Sequence, residues 1–413
     1  MENYRFRNFT DRFRKLFAAF PVVVISGARQ VGKSTFLMQI MGEGKDYVVF
    51  DPSVDVENAR SDPDFFLKNH DLPLVLDEVQ YAPEVIGAVK RVVDKHKRPG
   101  MFVITGSQQW HVMKNLSESL AGRAAFLDIE GFSLSEKCLI SDSKSWLDVW
   151  LDSMGEASLL DLEPFVCTRF LFDNIWRGSL PEADYISADV IGEFFRGYLR
   201  TYIERDIRLM ADVYDWQVFG RFVKLVAALT AQEINYSHLG RDIGISPHTA
   251  KKWLALMEAT FQYFEVPAFY SNHIKKLSSR PKGFIADTGF ACHSFGISSP
   301  AVLANHPAFG FLFETFVAGE IRKKINLMSF KPNIYHWRFH SGAEIDLLLE
   351  RDGMLFPIEV KVKSNPSKKD VLSFSVLKKT YKNLKVADGV VICSTDMPRR
   401  ISENAIALPY NLT

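Results

Sequence analysis

The chain has 413 residues, room for two to three domains at roughly 150 residues each. Hydrophobic residues make up 47% and charged residues 24%, with 33 Phe, so wholesale disorder is excluded and aromatic cores are expected. Fifty Lys and Arg against 49 Asp and Glu leave a net charge of +1. No global field then draws the molecule onto nucleic acid or membrane, and any such surface must be a local patch. Cys138, Cys167, Cys292 and Cys393 are far apart in sequence and show no CxxC or Cys/His ligand spacing, which fits neither a disulfide framework nor a zinc knuckle. The first 20 residues interrupt their aromatics with arginines, and no run of about 18 apolar residues occurs, so a soluble, cytoplasmic protein without a membrane partner is expected.

Residues 1–140 alternate short apolar runs with helical stretches. The runs Val22 to Ile25, Val48 to Phe50, Leu74 to Leu76 and Phe102 to Ile104 read as strands buried on both faces, hence an α/β core with a parallel sheet. Directly after the first run, Gly27-Ala28-Arg29-Gln30-Val31-Gly32-Lys33-Ser34 fits GxxxxGK[ST], and a helical stretch from Thr35 follows. In that context backbone N–H groups and the helix amino terminus converge on phosphates. Gly27 and Gly32 allow close approach, Lys33 neutralises terminal phosphate charge, and Ser34 is placed to ligate Mg²⁺. Gly27 to Thr35 are therefore the expected nucleotide contacts.

The strand Leu74 to Leu76 ends in Asp77 and Glu78. A parallel strand delivers its carboxyl end to the ligand crevice, so Asp77 is expected to hold Mg²⁺ and Glu78 to orient the attacking water. The strand ending Thr105-Gly106-Ser107 offers hydroxyls that sense a γ-phosphate or water, although Thr-Gly-Ser also suits a plain turn. Arg123, just before the run Ala124 to Leu127, is read as capping the γ-phosphate in cis or across a subunit boundary in an oligomer; a surface ion pair is the rival reading.

Residues 141–232 begin with an acidic stretch, taken as a connector, and continue as a helical lid or bridge through Tyr198 to Ile207. In 233–300, Tyr236 to Leu254 reads as helix, tight glycine turn, helix. Ser246 caps the second helix, Pro247 stands in its first turn, and Ile245, Ala250, Trp253, Leu254 and Met257 form its apolar face. This helix-turn-helix (winged-helix-like) module would present His248, Thr249, Lys251 and Lys252 to DNA, or dock a protein partner.

Within 301–413, Asp352-Gly353 predicts a two-residue hairpin turn. Its register puts Asp346 opposite Glu359 and Glu344 opposite Lys361 on one face. Ile345, Leu347, Leu349, Phe356, Ile358 and Val360 then form an apolar second face. Facing acids demand a compensating cation, either Lys361 or a bound metal.

Gly27 to Thr35, Leu74 to Gln80, Ile104 to Ser107 and Leu120 to Arg123 together resemble the AAA-type P-loop ATPases of bacteria and archaea that carry a carboxy-terminal domain of unknown function. The resemblance runs on through Arg205-Asp206-Ile207, Ile285 to Gly289, Phe313-Glu314 and Glu359-Val360-Lys361, and departs from the family's more usual serine at Gln108. It implies an ATP- and Mg²⁺-dependent hydrolase. The Asp, then Glu-x-Lys, pattern of the hairpin resembles the restriction-endonuclease-like fold. In that chemistry Asp346 and Glu359 would hold Mg²⁺ or Mn²⁺, Lys361 would position water and Glu314 would add a further acid. The rival reading is a salt-bridged structural network. The rival functions are a metal-dependent nucleic-acid-processing enzyme and a nucleotide-controlled switch that docks a protein.

Overall fold

The computed structural model describes residues 4–412 except 43–45, 52–55, 109–119, 141–144, 157, 168, 208–214, 271–278 and 341, with the side chains of 203–205 also outside the description. A first helix, α1 (Thr10–Ala19), leads into β1 (Val22–Ser26), and α2 (Lys33–Met41) follows the phosphate loop. β2 (Asp46–Val49), β3 (Leu74–Asp77), α3 (Val85–His96), β4 (Phe102–Gly106) and β5 (Ala124–Asp128) complete the first unit. The strands form a sheet ordered β2-β3-β4-β1-β5, every pair parallel. β1, β3 and β4 are buried throughout, as their unbroken apolar runs require.

The acidic stretch is more than a connector. Residues 141–144 lie outside the description, but Ser145 and Asp148 form a capping box for α4 (Trp146–Asp152). This helix buries Trp146, Leu147, Trp150 and Leu151, and Trp150 meets Phe356 edge to face at 5.2 Å. Its acids have partners: Asp148 caps the helix, and Asp152 pairs with the distant Arg351 at 3.0 Å.

Next come α5 (Leu171–Arg177), α6 (Ile191–Thr201), a π-helical turn over Tyr202–Ile207 and α7 (Trp216–Ala228). β6 (Gln232–Glu233), α8 (Tyr236–Ile243), α9 (Pro247–Ala259), β7 (Tyr263–Val266) and β8 (Lys282–Ile285) follow, with the sheet order β6-β8-β7. Gly244 ends α8 in the left-handed conformation, Ser246 accepts from Thr249 N–H and Pro247 opens α9, as the sequence predicts.

α10 (Thr288–Ser294) and the long α11 (Phe309–Leu327) precede a mixed sheet. That sheet comprises β9 (Asn333–Arg338), β10 (Glu344–Arg351), β11 (Met354–Lys361), β12 (Lys385–Val386), β13 (Gly389–Cys393), β14 (Arg399–Ser402) and β15 (Ala405–Pro409), with α12 (Leu372–Thr380) in the β11–β12 connection. Its order is β14-β15-β13-β11-β10-β9, with β12 beside β11.

The hairpin register agrees with prediction from Arg351↔Met354 to Leu347↔Ile358. Beyond that the β10–β9 pairing slips between Ile345 and Leu348. A bulge reverses the facing of what lies past it, so Ile345 packs with Leu348 and Leu355, not with Leu347, Leu349 and Phe356. The predicted apolar face is thereby corrected at one residue. A single apolar core extends from Val23 and Ile25 through α5, α6, α7 and α11 to Leu349 and Phe356, so the units share one interior.

Candidate nucleotide site

The loop between β1 and α2 is shaped by its glycines. Gly32 has φ +91°, a conformation that side-chain-bearing residues avoid, and a Cβ on Gly27 would stand 2.2 Å from the Ile129 carbonyl oxygen. Lys33 Nζ donates to the carbonyls of Gly27 and Ala28, each at 2.9 Å, and burial pushes its pKa down. Arg7, ahead of the sheet, braces the loop by donating to the Val31 carbonyl at 2.8 Å.

Across the crevice Asp77 is buried between two hydroxyls. Thr105 donates to its Oδ1 and Tyr47 to its Oδ2 at 2.6 Å. Burial foremost, and then the Asp77 charge, raises the Tyr47 pKa, and nearby Ser34 opposes the rise. Ser34 and Asp77 thus flank the Tyr47 hydroxyl. This pairing of a hydroxyl with a carboxylate is a donor set that fits Mg²⁺ carrying phosphates.

Glu78 stands at φ +59°, the left-handed region, at the end of β3. Such a conformation costs about 1 kcal/mol or more and is kept where the surroundings fix it. Here its N–H donates to Thr105 Oγ1 at 3.0 Å, and its carboxylate accepts from Gln80 Nε2. Gln80 also donates to Ser107 Oγ at 3.2 Å, while Gln80 Oε1 is buried without a partner. Thr105 therefore touches the Asp77 carboxylate and the Glu78 backbone directly, and Ser107 reaches the Glu78 carboxylate through Gln80.

Arg29 leaves the loop toward the helical region. Its guanidinium grips Asp206 of the π-helical turn, with Nη2 at 2.6 Å and Nε at 3.2 Å from the carboxylate. Despite partial burial, which opposes the charge, Asp206 raises the Arg29 pKa. Arg205 of the same motif has its side chain outside the described residues.

Arg123 does not join this group. It precedes β5, whose opposite end, Asp128, pairs with Ser26 beside the loop, and its guanidinium is bound to Asp94 at 2.5 Å. A cis contact with a γ-phosphate does not fit that position, because the length of the sheet intervenes. Sequence reasoning missed Arg7, Tyr47, Gln80 and Asp206. Gln80 and Asp206 lay in motif stretches that it quoted, and Arg7 among the amino-terminal arginines, each without a role at the site.

The carboxy-terminal acids converge as predicted, but around a lysine that the sequence reading did not name. Lys282 Nζ on β8 lies 2.8 Å from Glu314, 3.1 Å from Glu344 and 3.5 Å from Asp346. Lys361 pairs with Glu359 at 2.5 Å and Asp346 at 3.8 Å, so its predicted partner Glu344 is taken by Lys282 instead. Asp346 also accepts from Val360 N–H at 2.8 Å. Burial and the neighbouring Asp346 push Glu314 up to about 8 and Glu359 well above the usual carboxylate range. Lys282 and Lys361 are thus the cations balanced against the four acids Glu314, Glu344, Asp346 and Glu359. Among the described residues no group of three or more His, Cys, Asp and Glu side chains is arranged to hold a metal ion.

That balance is pH-dependent. Glu314 binds its proton more tightly folded than unfolded, so the folded state loses this advantage as pH rises from 4.5 to about 8 and no further above it. Thermal melts of Glu314→Gln are expected to fall less across that window than those of the unsubstituted protein; parallel curves would contradict the assignment.

The described cysteines are free thiols. No described helix is long and apolar enough to cross a membrane.

Residues 19–138 match the model of an AAA domain, 168–301 that of a domain of unknown function (DUF8612) and 309–413 that of another (DUF4143). The chain thus carries a P-loop core of the AAA type joined to two domains without assigned function. Uncharacterized proteins of Mycobacterium tuberculosis (Rv2008c) and Mycobacterium bovis (Mb2031c) are each 25% identical over 406 residues, covering 98% of this chain and 83% of theirs. Among solved structures, the Walker-type ATPase PABY2304 of Pyrococcus abyssi is 15% identical, covering 71% of this chain and 97% of its own, with a TM-score of 0.39. The RuvB Holliday junction branch migration motor of Thermotoga maritima is 12% identical, covering 68% and 97%, with a TM-score of 0.32.

Proposed function

We propose that this chain hydrolyses ATP and uses the reaction to move its carboxy-terminal half relative to the nucleotide site. The observation that carries the reading is the convergence of Lys33, Ser34, Asp77 and Glu78 on one crevice at the carboxyl ends of β1 and β3. Lys33 would leave its carbonyl partners for the terminal phosphates, and Ser34 and Asp77 would hold Mg²⁺. Bound Mg²⁺ supplies neutralisation of phosphate charge. Glu78 accepts a hydrogen bond from the attacking water, its carboxylate held in place by Gln80 Nε2. Thr105 fixes both acids, and Ser107 fixes Gln80.

Arg29 and Asp206 supply the coupling. A loop that rearranges around phosphates pulls on the π-helical turn through this ion pair, and π-turns are frequent where helices carry function. Phosphate release from ATP by the purified protein, dependent on Mg²⁺, tests the catalytic half; no turnover would sink it. For the coupling half, ATP is expected to change amide hydrogen exchange in Tyr202–Ile207 in the unsubstituted protein and not in Asp206→Asn. Exchange indifferent to nucleotide in the unsubstituted protein would remove Asp206 from the pathway.

The element order α7, β6, α8, α9, β7, β8 supports a winged-helix-like reading of the middle unit, with His248, Lys251 and Lys252 exposed on α9. A hairpin followed by parallel β13 supports a restriction-endonuclease-like reading of the last unit. Self-neutralisation by Lys282 and Lys361 favours a structural cluster there over metal-dependent cleavage.

A further inference from the structure

A second cleft lies far from the phosphate loop in sequence, between the β7–β8 unit and the edge strand β9. Residues 267–269 bind it to β9: Phe269 N–H donates to the His336 carbonyl at 2.7 Å, and His336 N–H to the Pro267 carbonyl at 2.9 Å. The space above this seam has a volume of about 770 Å³, the size of an ordinary ligand pocket. Its walls carry the half-exposed rings of Tyr270, Phe339 and Tyr381 together with the exposed cations Arg280 and Arg338. Among the described lining residues Glu233 is the one carboxylate, and Arg338 already pairs with it at 3.2 Å. Outside the rim, exposed Lys379 and Lys382 flank Thr380 and Tyr381.

We infer that this cleft binds single-stranded nucleic acid. Flat rings at the height of half-exposed side chains offer stacking faces for unpaired bases, and cations beside them take the phosphates. A chain of +1 net charge needs a local patch for such a ligand. This is one: its cations exceed its acids, and further lysines continue it along the rim. An acidic peptide would use the cations and leave the rings idle. A duplex would keep its bases from the rings altogether. The neighbouring helix α9 gives a duplex an alternative place, which the test separates.

The measurement is fluorescence anisotropy of the full chain with labelled 20-mers of deoxythymidine and of uridine, at about 50 mM and 200 mM salt. Binding is expected for one or both, weakening with salt. Tyr270→Ala is expected to weaken it about tenfold through lost stacking, whereas Tyr270→Phe, which keeps the ring, retains it. Arg280→Ala should lower the slope of log affinity against log salt by about one. Lys251→Ala with Lys252→Ala on α9 should leave it unchanged. The deoxythymidine and uridine arms distinguish DNA from RNA as the source. Absence of binding to both strands at low salt overturns the inference. So does binding lost only with the α9 lysines, indifferent to Tyr270→Ala and Arg280→Ala, or stronger for a duplex of equal length. Because the cleft shares no residue with the phosphate loop, ATP turnover measured on the same samples reports separately on the hydrolysis reading.

Discussion

Lys33→Ala is expected to abolish ATP hydrolysis and to weaken ATP binding by at least about a hundredfold. The side chain is buried, and its ammonium donates to the carbonyls of Gly27 and Ala28. Burial already costs it free energy to stay charged, as its lowered pKa records, and phosphate oxygens would return that cost. Alanine removes the one lysine in the loop while leaving the backbone N–H groups, so weak phosphate contact survives and catalysis does not. Titration with a fluorescent ATP analogue and phosphate release read the two effects separately. Unchanged turnover in a variant that melts like the parent would refute the assignment of the loop.

Glu78→Gln is expected to part binding from chemistry. Glutamine preserves the side-chain length and leaves the Asp77 contacts with Tyr47 and Thr105 untouched. The lost function is acceptance of a proton-bearing water by a carboxylate, worth about 10² to 10⁴ in rate where it operates. ATP should therefore remain bound with affinity near that of the parent and persist unhydrolysed. A Glu78→Gln protein unable to bind ATP would show that the carboxylate serves the nucleotide or its metal, and the division between Asp77 and Glu78 would have to be redrawn.

Much of the nucleotide core was legible because its signals are local. A buried parallel strand reads as an unbroken apolar run, and a glycine loop needs its spacing, so Val22 to Ser34 declare themselves without reference to anything distant. The hairpin was legible for the same reason as far as Leu347, since Asp352-Gly353 sets a register from the turn outward. Past that point a bulge determined by β9 takes over, and no turn residue encodes it. Lys282 was invisible as the centre of the acid cluster because it comes from another sheet and lies 32 residues before Glu314. Arg29 and Asp206, 177 positions apart, are joined only by the fold. Arg123 misled for the opposite reason. Its sequence neighbourhood suits a catalytic arginine, but whether it stands at the head or the foot of a strand becomes visible only once β5 is paired with β1.

The shared interior limits how this protein can change over time. Modular chains trade parts at loosely attached linkers, where few contacts cross. Here the stretch that composition marks as a linker contributes α4, whose Trp150 rests against Phe356 more than 200 residues away, and Phe165 exchanges hydrogen bonds with Asn411 near the end of the chain. Shuffling the AAA core onto another output domain would strip both partners of their covering and leave large apolar side chains in water, at about 1.5 to 3 kcal/mol apiece. Inheritance as a single block is the outcome such a core imposes.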